Sequence, residues 1–283
     1  MKLMRVGARG AEKPAVLHSD GTIRDLSGIV DDIAGGVLTP EGLETIAGAD
    51  LAALPELDKN QRIGPCVGRV GKFICVGLNY ADHAAESGLD VPREPVLFMK
   101  ATSAICGPND DVIIPKNSTQ TDWEVELGVV IGKQARYVDE ADALDHVAGY
   151  CVVNDVSERE FQTKRSGQWV KGKSADTFGP IGPWLVTRDE IADPQNLGMW
   201  LEVDGHRYQD GSTKTMVYSV AHVVSYISQF MSLQPGDIIT TGTPPGVGMG
   251  IKPDPVYLRP GQTIRLGVEG LGEQTQRTVA WKC

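Results

Sequence analysis

Three carboxylates beside apolar segments are the residues of this chain best suited to chemistry. Glu124 and Glu126 stand two positions apart in the run 123–131, whose apolar and β-branched residues predict a buried strand. Side chains two positions apart on a strand point to the same face, so the two carboxylates would lie side by side. Because burying adjacent carboxylates is costly, a divalent cation between them would stabilise the fold. Asp155, which follows the apolar run 149–153, could supply a third ligand.

The ligand types indicate the kind of metal. Three carboxylates without a nearby His or Cys cluster favour a hard cation, Mg²⁺ or Mn²⁺, with water in the open positions. The alternative is that Glu124 and Glu126 lie on the solvent-facing side of a strand and pair with lysines. This segment alone leaves both interpretations open.

A histidine and a glutamate form a candidate general base. His83 and Glu86 are three residues apart in the segment 81–87, which predicts a short helix, so they can hydrogen-bond on one face. A carboxylate that holds one imidazole nitrogen leaves the other free to accept a proton. The alternative is a surface His–Glu pair without a catalytic role.

A helix start near Asp155 carries groups suited to an anionic ligand. The capping-box pattern at 157–160 predicts a helix directly after Asp155 and places Arg159 and Gln162 on one face near its N-terminus. An anionic substrate such as a carboxylate would be held there. The alternative is a solvated polar helix face.

Glycine-punctuated segments offer further ligand contacts. Lys173 lies in the first, 171–180, and could stabilise an oxyanion. Residues 172–174 match only the end of a Walker loop, so nucleotide binding is not predicted. The second segment, 240–248, could present backbone N–H groups and hydroxyls to a ligand, the alternative being a plain turn.

The elements that must position these residues are mostly strands. Short apolar runs separated by 33 glycines and 17 prolines predict a β-rich α+β protein. A hairpin over 15–24, a helix over 41–47 and an irregular stretch over 54–71 predict a small N-terminal α+β subdomain over residues 1–66. The main domain would then span residues 67–283.

Two more helices are predicted in the main domain. One covers 140–147, and the other is capped by Ser219. The second helix has core-facing spacing at Val220, Val223, Val224, Ile227, Phe230 and Met231.

Charge and composition exclude several classes of function. Acidic residues exceed basic ones by 37 − 27 = 10, which argues against nucleic acid and anionic membranes as partners. No apolar run approaches the roughly 20 residues of a membrane span. The first residues lack the apolar core of a signal peptide, so a cytoplasmic location is expected. The five cysteines form no Cys-x-x-Cys pair, so neither a disulfide framework nor a zinc site is predicted.

An ordered set of segments resembles the fumarylacetoacetate hydrolase family. The matching segments are 77–86, 95–100, 124–127, 154–162, 172–174 and 241–244. Each is short, but their shared order and spacing from about residue 70 onward are specific. The resemblance implies a mixed β-sandwich roll, a Mg²⁺ or Mn²⁺ site and a homodimer or higher homo-oligomer.

The resemblance also implies roles for individual residues. The metal ligands would be Glu124, Glu126 and Asp155. His83 and Glu86 would form a dyad that activates water. The substrate contacts would be Lys173, Arg159, Gln162, Thr243 and Tyr80.

The chain departs from the larger family members at one position. Those members carry a further aspartate ligand seven residues before the catalytic histidine, where this chain has Val76. We therefore expect three protein carboxylates, with water and substrate completing the coordination. Glu86 lies close to His83 along the chain, as in the shorter members.

The implied activity is cleavage of the C3–C4 bond of a 2,4-diketo acid to pyruvate and a second acid. The metal would bind a small anionic 2-oxo acid and stabilise the enolate. Within the family, the chain looks most like hydrolases of 2,4-diketo-3-deoxy-L-fuconate or L-rhamnonate. An oxaloacetate-type decarboxylase, a 2-hydroxymuconate-type isomerase and a ureidoglycolate lyase stay open on the same site. A metal-binding protein without activity is the remaining alternative.

Overall fold

Strands dominate the computed structural model, which describes residues 1–82 and 92–282. The strands are β1 (Lys2–Val6), β2 (Lys13–Leu17), β3 (Ile23–Asp25), β4 (Glu56–Leu57), β5 (Phe73–Gly77), β6 (Val96–Lys100), β7 (Ile105–Cys106), β8 (Val112–Ile114), β9 (Thr121–Asp122), β10 (Val125–Ile131), β11 (Val147–Asn154), β12 (Ser157–Glu158), β13 (Gly179–Thr187), β14 (Gly198–Val203), β15 (His206–Ser212), β16 (Ile238–Thr240), β17 (Thr263–Val268) and β18 (Gly272–Ala280). The α-helices are α1 (Pro40–Ala47), α2 (Arg159–Thr163), α3 (Val170–Lys173) and α4 (Val220–Ser228). Short 3₁₀ helices cover Gly35–Leu38, Leu51–Ala53, Thr102–Ala104, Glu140–His146, Arg188–Glu190, Thr213–Thr215 and Gly248–Gly250.

These strands form mixed sheets. The largest has the order β4-β3-β2-β1-β13-β11-β10-β16-β5-β6, with β7 beside β13. A five-stranded sheet has the order β15-β14-β17-β18-β8, and β9 pairs with β12. Parallel pairs, such as β16 with β5, occur among antiparallel ones. The predicted β-rich α+β class with mixed sheets is confirmed.

The central strand β10 is buried on both faces, and this decides where the acidic residues point. Val125, Leu127 and Val129 pack in the larger core cluster, together with β14, β17 and α4. The alternate residues face the other way, where Val130 joins a second apolar cluster. Glu126 belongs to this alternate set. Its carboxylate therefore lies on the face of β10 opposite the larger core cluster.

The N-terminal segment extends the largest sheet, because β1 pairs with β13. The predicted hairpin is present as β2 and β3, and the predicted helix as α1, with Thr39 as its cap. Arg62 joins the segment to the rest through Asp110, at 2.7 and 2.6 Å, and also contacts Glu12 within the segment, at 2.9 Å. The boundary at residue 66 stays a prediction.

Three details differ from the sequence expectations. The helix after Asp155 begins only at Arg159 and is capped by Glu158, because Ser157 and Glu158 pair with β9 instead. The segment 140–146 is a 3₁₀ helix. Phe230 is 63% exposed, since α4 ends before it and its side chain leaves the core face.

The predicted helix at 81–87 lies largely outside the described residues, and His83 and Glu86 lie outside them entirely. None of the helices within 1–82 and 92–282 is long and apolar enough to cross a membrane.

Candidate active site

The three acidic residues meet where β10 begins and β11 ends. These strands are antiparallel, with Val125 opposite Asn154, and the Asp155 N–H donates to the Glu124 carbonyl at 2.9 Å. One carboxylate oxygen from each of Glu124, Glu126 and Asp155 lies within 4.8 Å of the others. The three residues are 6%, 2% and 0% exposed, respectively. The carboxylates therefore form one buried cluster.

Two buried lysines compensate part of this charge. Lys173, at the end of α3, places its Nζ 2.7 Å from Glu124 Oε2 and 2.8 Å from Asp155 Oδ2. Lys100, at the end of β6, places its Nζ 2.5 Å from Asp155 Oδ1. Both carboxylate oxygens of Asp155 thus contact an ammonium group. Such contacts are needed, because an uncompensated buried charge costs several kcal/mol.

Arg159 is the third buried cation of the site. Its Nε lies 2.8 Å from Asp122 Oδ2, and its guanidinium reaches Glu124 Oε1 at 2.7 Å. It also donates to Gln162 Oε1 at 3.0 Å. Burial lowers the pKa of Arg159, but Glu124 and Asp122 outweigh burial and raise it. The guanidinium is therefore a fixed positive charge.

Glu126 is the member of the cluster with the least compensation. Burial raises the pKa of its carboxyl well above the usual range, and the charges of Asp155 and Glu124 raise it further. The Gly242 N–H donates to Glu126 Oε2 at 2.8 Å and acts in the opposite direction. A divalent cation would relieve this repulsion, and three carboxylates are a ligand set that hard cations prefer. The residues present fit such an ion.

A cavity of about 360 Å³ opens beside the cluster. Its lining residues are Val76, Gly77, Leu78, Phe98, Glu124, Glu126, Arg159, Gln162, Thr163, Trp169, Lys173, Gly242, Thr243, Met249, Gly250 and Lys252. The charged groups of the cluster are therefore in reach of a small ligand, and the remaining lining is largely apolar.

An aromatic wall bounds this cavity. Trp169 meets Phe98 edge to face, with ring centroids 5.3 Å apart, and Lys173 Nζ lies 5.1 Å from the centre of the Phe98 ring. A Cβ at Gly77 would come within 2.5 Å of the Trp169 ring, so only glycine leaves room for this arrangement. The wall is thus fixed by close packing on one side.

A sequence comparison decides the family. The family described as "Fumarylacetoacetate (FAA) hydrolase C-terminal" matches residues 72–279. The chain belongs to the fumarylacetoacetate hydrolase family. The β-rich fold and the order of the sequence motifs agree with this membership.

Similar proteins include hydrolases and an isomerase. A Burkholderia multivorans protein, whose name calls it a hydrolase only provisionally, is 68% identical over 280 residues, 99% of each chain. The structure of maleylpyruvate hydrolase from Sphingobium sp. SYK-6, in complex with manganese(II) ion and pyruvate, is 30% identical over the full length of both chains, with a TM-score of 0.82. A 2-hydroxyhepta-2,4-diene-1,7-dioate isomerase from Mycobacterium marinum is 32% identical, also over both full chains, with a TM-score of 0.78.

The structure brings most of the predicted site residues together. The cavity that Glu124 and Glu126 line is also lined by Arg159, Gln162, Lys173 and Thr243. Asp155 is not part of the lining but contacts Lys173. Tyr80 is the exception, because it is fully buried outside the cavity lining and its hydroxyl donates to the Met199 sulfur at 3.1 Å. His83 and Glu86 lie outside the described residues.

The loop after β16 uses its N–H groups within the protein. The sequence leaves open whether segment 240–248 presents N–H groups to a ligand or is a plain turn. Those of Gly242 and Gly248, and that of the adjacent Met249, donate to protein carboxylates. The Thr243 hydroxyl likewise donates to the Val125 carbonyl and accepts from Gln209, both at 2.8 Å. The loop therefore contacts Glu126 of the cluster and the neighbouring Asp122 from within the protein.

Sequence reasoning assigned no role to three residues of the site. Lys100 ends an apolar strand, and a lysine in such a position is the signal that could have revealed it. Asp122 directly precedes the acidic run, but nothing near it in sequence indicates its partners. Trp169 carries no signal of its own, because its partner Gly77 lies far from it in the sequence.

Proposed function

We propose that the chain is a divalent-metal-dependent hydrolase that cleaves the C3–C4 bond of a 2,4-dioxo acid and releases pyruvate. The observation that best supports this proposal is the buried cluster of Glu124, Glu126 and Asp155. It lies at the inner end of a cavity that Arg159 and Lys173 also line. The similarity to a maleylpyruvate hydrolase in complex with manganese and pyruvate supports the same assignment. Mg²⁺ or Mn²⁺ held by the three carboxylates would supply Lewis-acid polarisation of the substrate oxygens.

The cations of the cavity would bind and stabilise an anionic substrate. An ammonium group has three N–H donors, and Lys173 uses two of them on Glu124 and Asp155. The third can donate to the oxyanion that develops at C4 when water adds. Gln162 and Arg159 line the same cavity and would orient the substrate carboxylate.

His83 and Glu86 would activate the water, as the family resemblance implies. His83 would take a proton as the hydroxide adds to C4. When the C3–C4 bond breaks, its electron pair passes to C3 and gives the enolate of pyruvate, while C4 becomes the carboxyl carbon of the second product. The proton held by His83 then passes to C3 of the enolate and gives pyruvate, while the new carboxylic acid releases its own proton to solvent.

The test is a substrate panel with metal-stripped protein. We expect Mg²⁺- or Mn²⁺-dependent release of pyruvate and the matching acid from acylpyruvates, with 2,4-diketo-3-deoxy-L-rhamnonate and -fuconate as the proposed best substrates. Turnover confined to oxaloacetate, to a hydroxymuconate-type diacid or to ureidoglycolate would instead establish the decarboxylase, isomerase or lyase. The similarity to an isomerase makes the second of these outcomes the principal competitor. Bound metal without any turnover would support a non-catalytic protein.

His83→Ala is expected to reduce hydrolysis by about 10²–10⁴-fold, because a general base contributes that much. Mn²⁺ affinity, measured by calorimetry, should change by no more than about two- to threefold, because His83 is not one of the proposed metal ligands. His206→Ala, at an exposed position, is the matched control. Equal activity of the two variants would contradict the proposed role of His83.

Trp169→Ala is expected to change which acyl group the enzyme prefers. Removing the indole opens the wall beside Phe98, so short acyl groups lose contacts and longer ones gain room. Losing such contacts costs about 1–3 kcal/mol, or roughly 10–200-fold in kcat/KM. The measurement is the ratio of kcat/KM for acetylpyruvate to that for a longer acylpyruvate. Trp281→Ala, outside the cavity lining, should leave the ratio unchanged.

A further inference from the structure

Asp122 is a buried carboxylate that adjoins the site without lining the cavity. It is 0% exposed, and four donors surround it. Its Oδ1 accepts the Trp123 N–H at 2.8 Å and the Gly248 N–H at 2.7 Å. Its Oδ2 accepts the Met249 N–H at 3.0 Å and the Arg159 Nε–H at 2.8 Å. One carboxylate thus holds two separate parts of the protein.

The first part is the turn that forms one wall of the cavity. Met249, Gly250 and Lys252 line the cavity, and the turn begins at Gly248. A Cβ at Gly248 would lie 2.7 Å from Asp122 Oδ1 and 1.9 Å from the Val256 carbonyl oxygen. Only glycine therefore allows the chain to approach this carboxylate so closely.

The second part is the cation at the inner end of the cavity. Arg159 is oriented by Asp122 through Nε, and its other nitrogens reach Glu124 and Gln162. A guanidinium has a planar, fixed donor geometry, so fixing Nε also fixes the direction of the remaining donors. Asp122 consequently sets the position of Arg159 and of the cavity wall together.

We propose that Asp122 is a positioning residue that couples the turn at 248–252 to Arg159. Binding of a small anion at the inner end of the cavity then makes this turn, which forms one wall of the cavity, less mobile. The proposal rests on the proposed function only for the identity of that anion. Aspartate is required because all four neighbours are donors, and an asparagine would turn an N–H₂ group toward at least one of them.

The test compares Asp122→Asn with Asp110→Asn. The control removes a similar charge-assisted pair, since Asp110 contacts Arg62 through both oxygens, outside the cavity lining. In Asp122→Asn we expect amide hydrogen exchange at Gly248 and Met249 to be at least about tenfold faster. In the Mn²⁺-loaded protein, pyruvate should bind about tenfold more weakly, with Mn²⁺ affinity within about threefold of wild type. The control should change none of these.

A second measurement needs no variant. In wild-type protein with Mn²⁺, saturating pyruvate should slow exchange at the Gly248 and Met249 amides beyond any change in the core strands. Unchanged exchange at these amides in Asp122→Asn and with pyruvate would overturn the proposal. Faster exchange throughout the core strands of Asp122→Asn would also overturn it, because Asp122 would then be a general structural residue. If wild type binds no pyruvate, the proposed function fails, while the exchange of the variant still decides the role of Asp122.

Discussion

Glu126→Gln should abolish activity and, at the same time, make the metal-free protein more stable. The side chain is buried, its neighbours Glu124 and Asp155 carry the same charge, and the two buried lysines contact those neighbours instead. An amide of the same shape removes this repulsion and can still accept the Gly242 N–H through its oxygen. We therefore expect the free energy of unfolding of the metal-free variant to rise by about 1–4 kcal/mol, the range found when buried ion pairs are replaced by neutral side chains.

Thermal unfolding with and without Mn²⁺ measures both effects. We expect the metal-free variant to melt several degrees above metal-free wild type, since about 1 kcal/mol shifts Tm by about 2–4 °C at this size. Added Mn²⁺ should stabilise wild type only, because the variant's affinity falls by more than about 100-fold. Glu56→Gln, at an exposed position, is the control. A variant still stabilised by Mn²⁺ would exclude Glu126 as a ligand.

Lys173→Met should have the opposite effect on the metal-free protein. Its ammonium lies between Glu124 and Asp155, and methionine leaves both carboxylates without that partner. Breaking such a buried pair costs about 3–5 kcal/mol. The carboxylates would then depend on the metal, so Mn²⁺ should restore a larger share of stability than in wild type. Activity should still fall by about 10²–10³-fold, because the oxyanion loses its donor.

The neighbouring Lys171→Met is the matched control, since Lys171 is exposed on the same helical turn. We expect near wild-type Tm, Mn²⁺ response and kcat for this control. If Lys173→Met lowers activity but leaves metal-free stability unchanged, Lys173 does not compensate the buried carboxylates. If stability falls but kcat is retained, it acts only on the fold.

The strands and the acidic cluster could be predicted because both depend on local patterns. Strand periodicity places Glu126 on one face of β10, and the apolar run before Asp155 shows where β11 ends. Arg159 and Gln162 follow from helical spacing, although the helix begins after a short strand pair. The β-hairpin near the N-terminus likewise needs only neighbouring residues.

The partners of the cluster could not be predicted, because the order of strands in the sheet selects them. Lys100 reaches Asp155 across 55 residues, and Gly242 reaches Glu126 across 116. The local sequence of a glycine loop indicates available N–H groups but does not say whether a ligand or a protein carboxylate receives them. The buried position of Tyr80 could not be predicted for the same reason, since its partner Met199 lies on a strand more than 100 residues away.

The position of β16 between β10 and β5 has a consequence for translation. A growing chain can pair β10 with β11, and so bring Glu124, Glu126 and Asp155 together, once synthesis has passed Asp155. The Gly242 N–H and the turn held by Asp122 arrive only with the last sixth of the chain. The residues of the acidic cluster are thus synthesised well before the turn that forms one wall of the cavity.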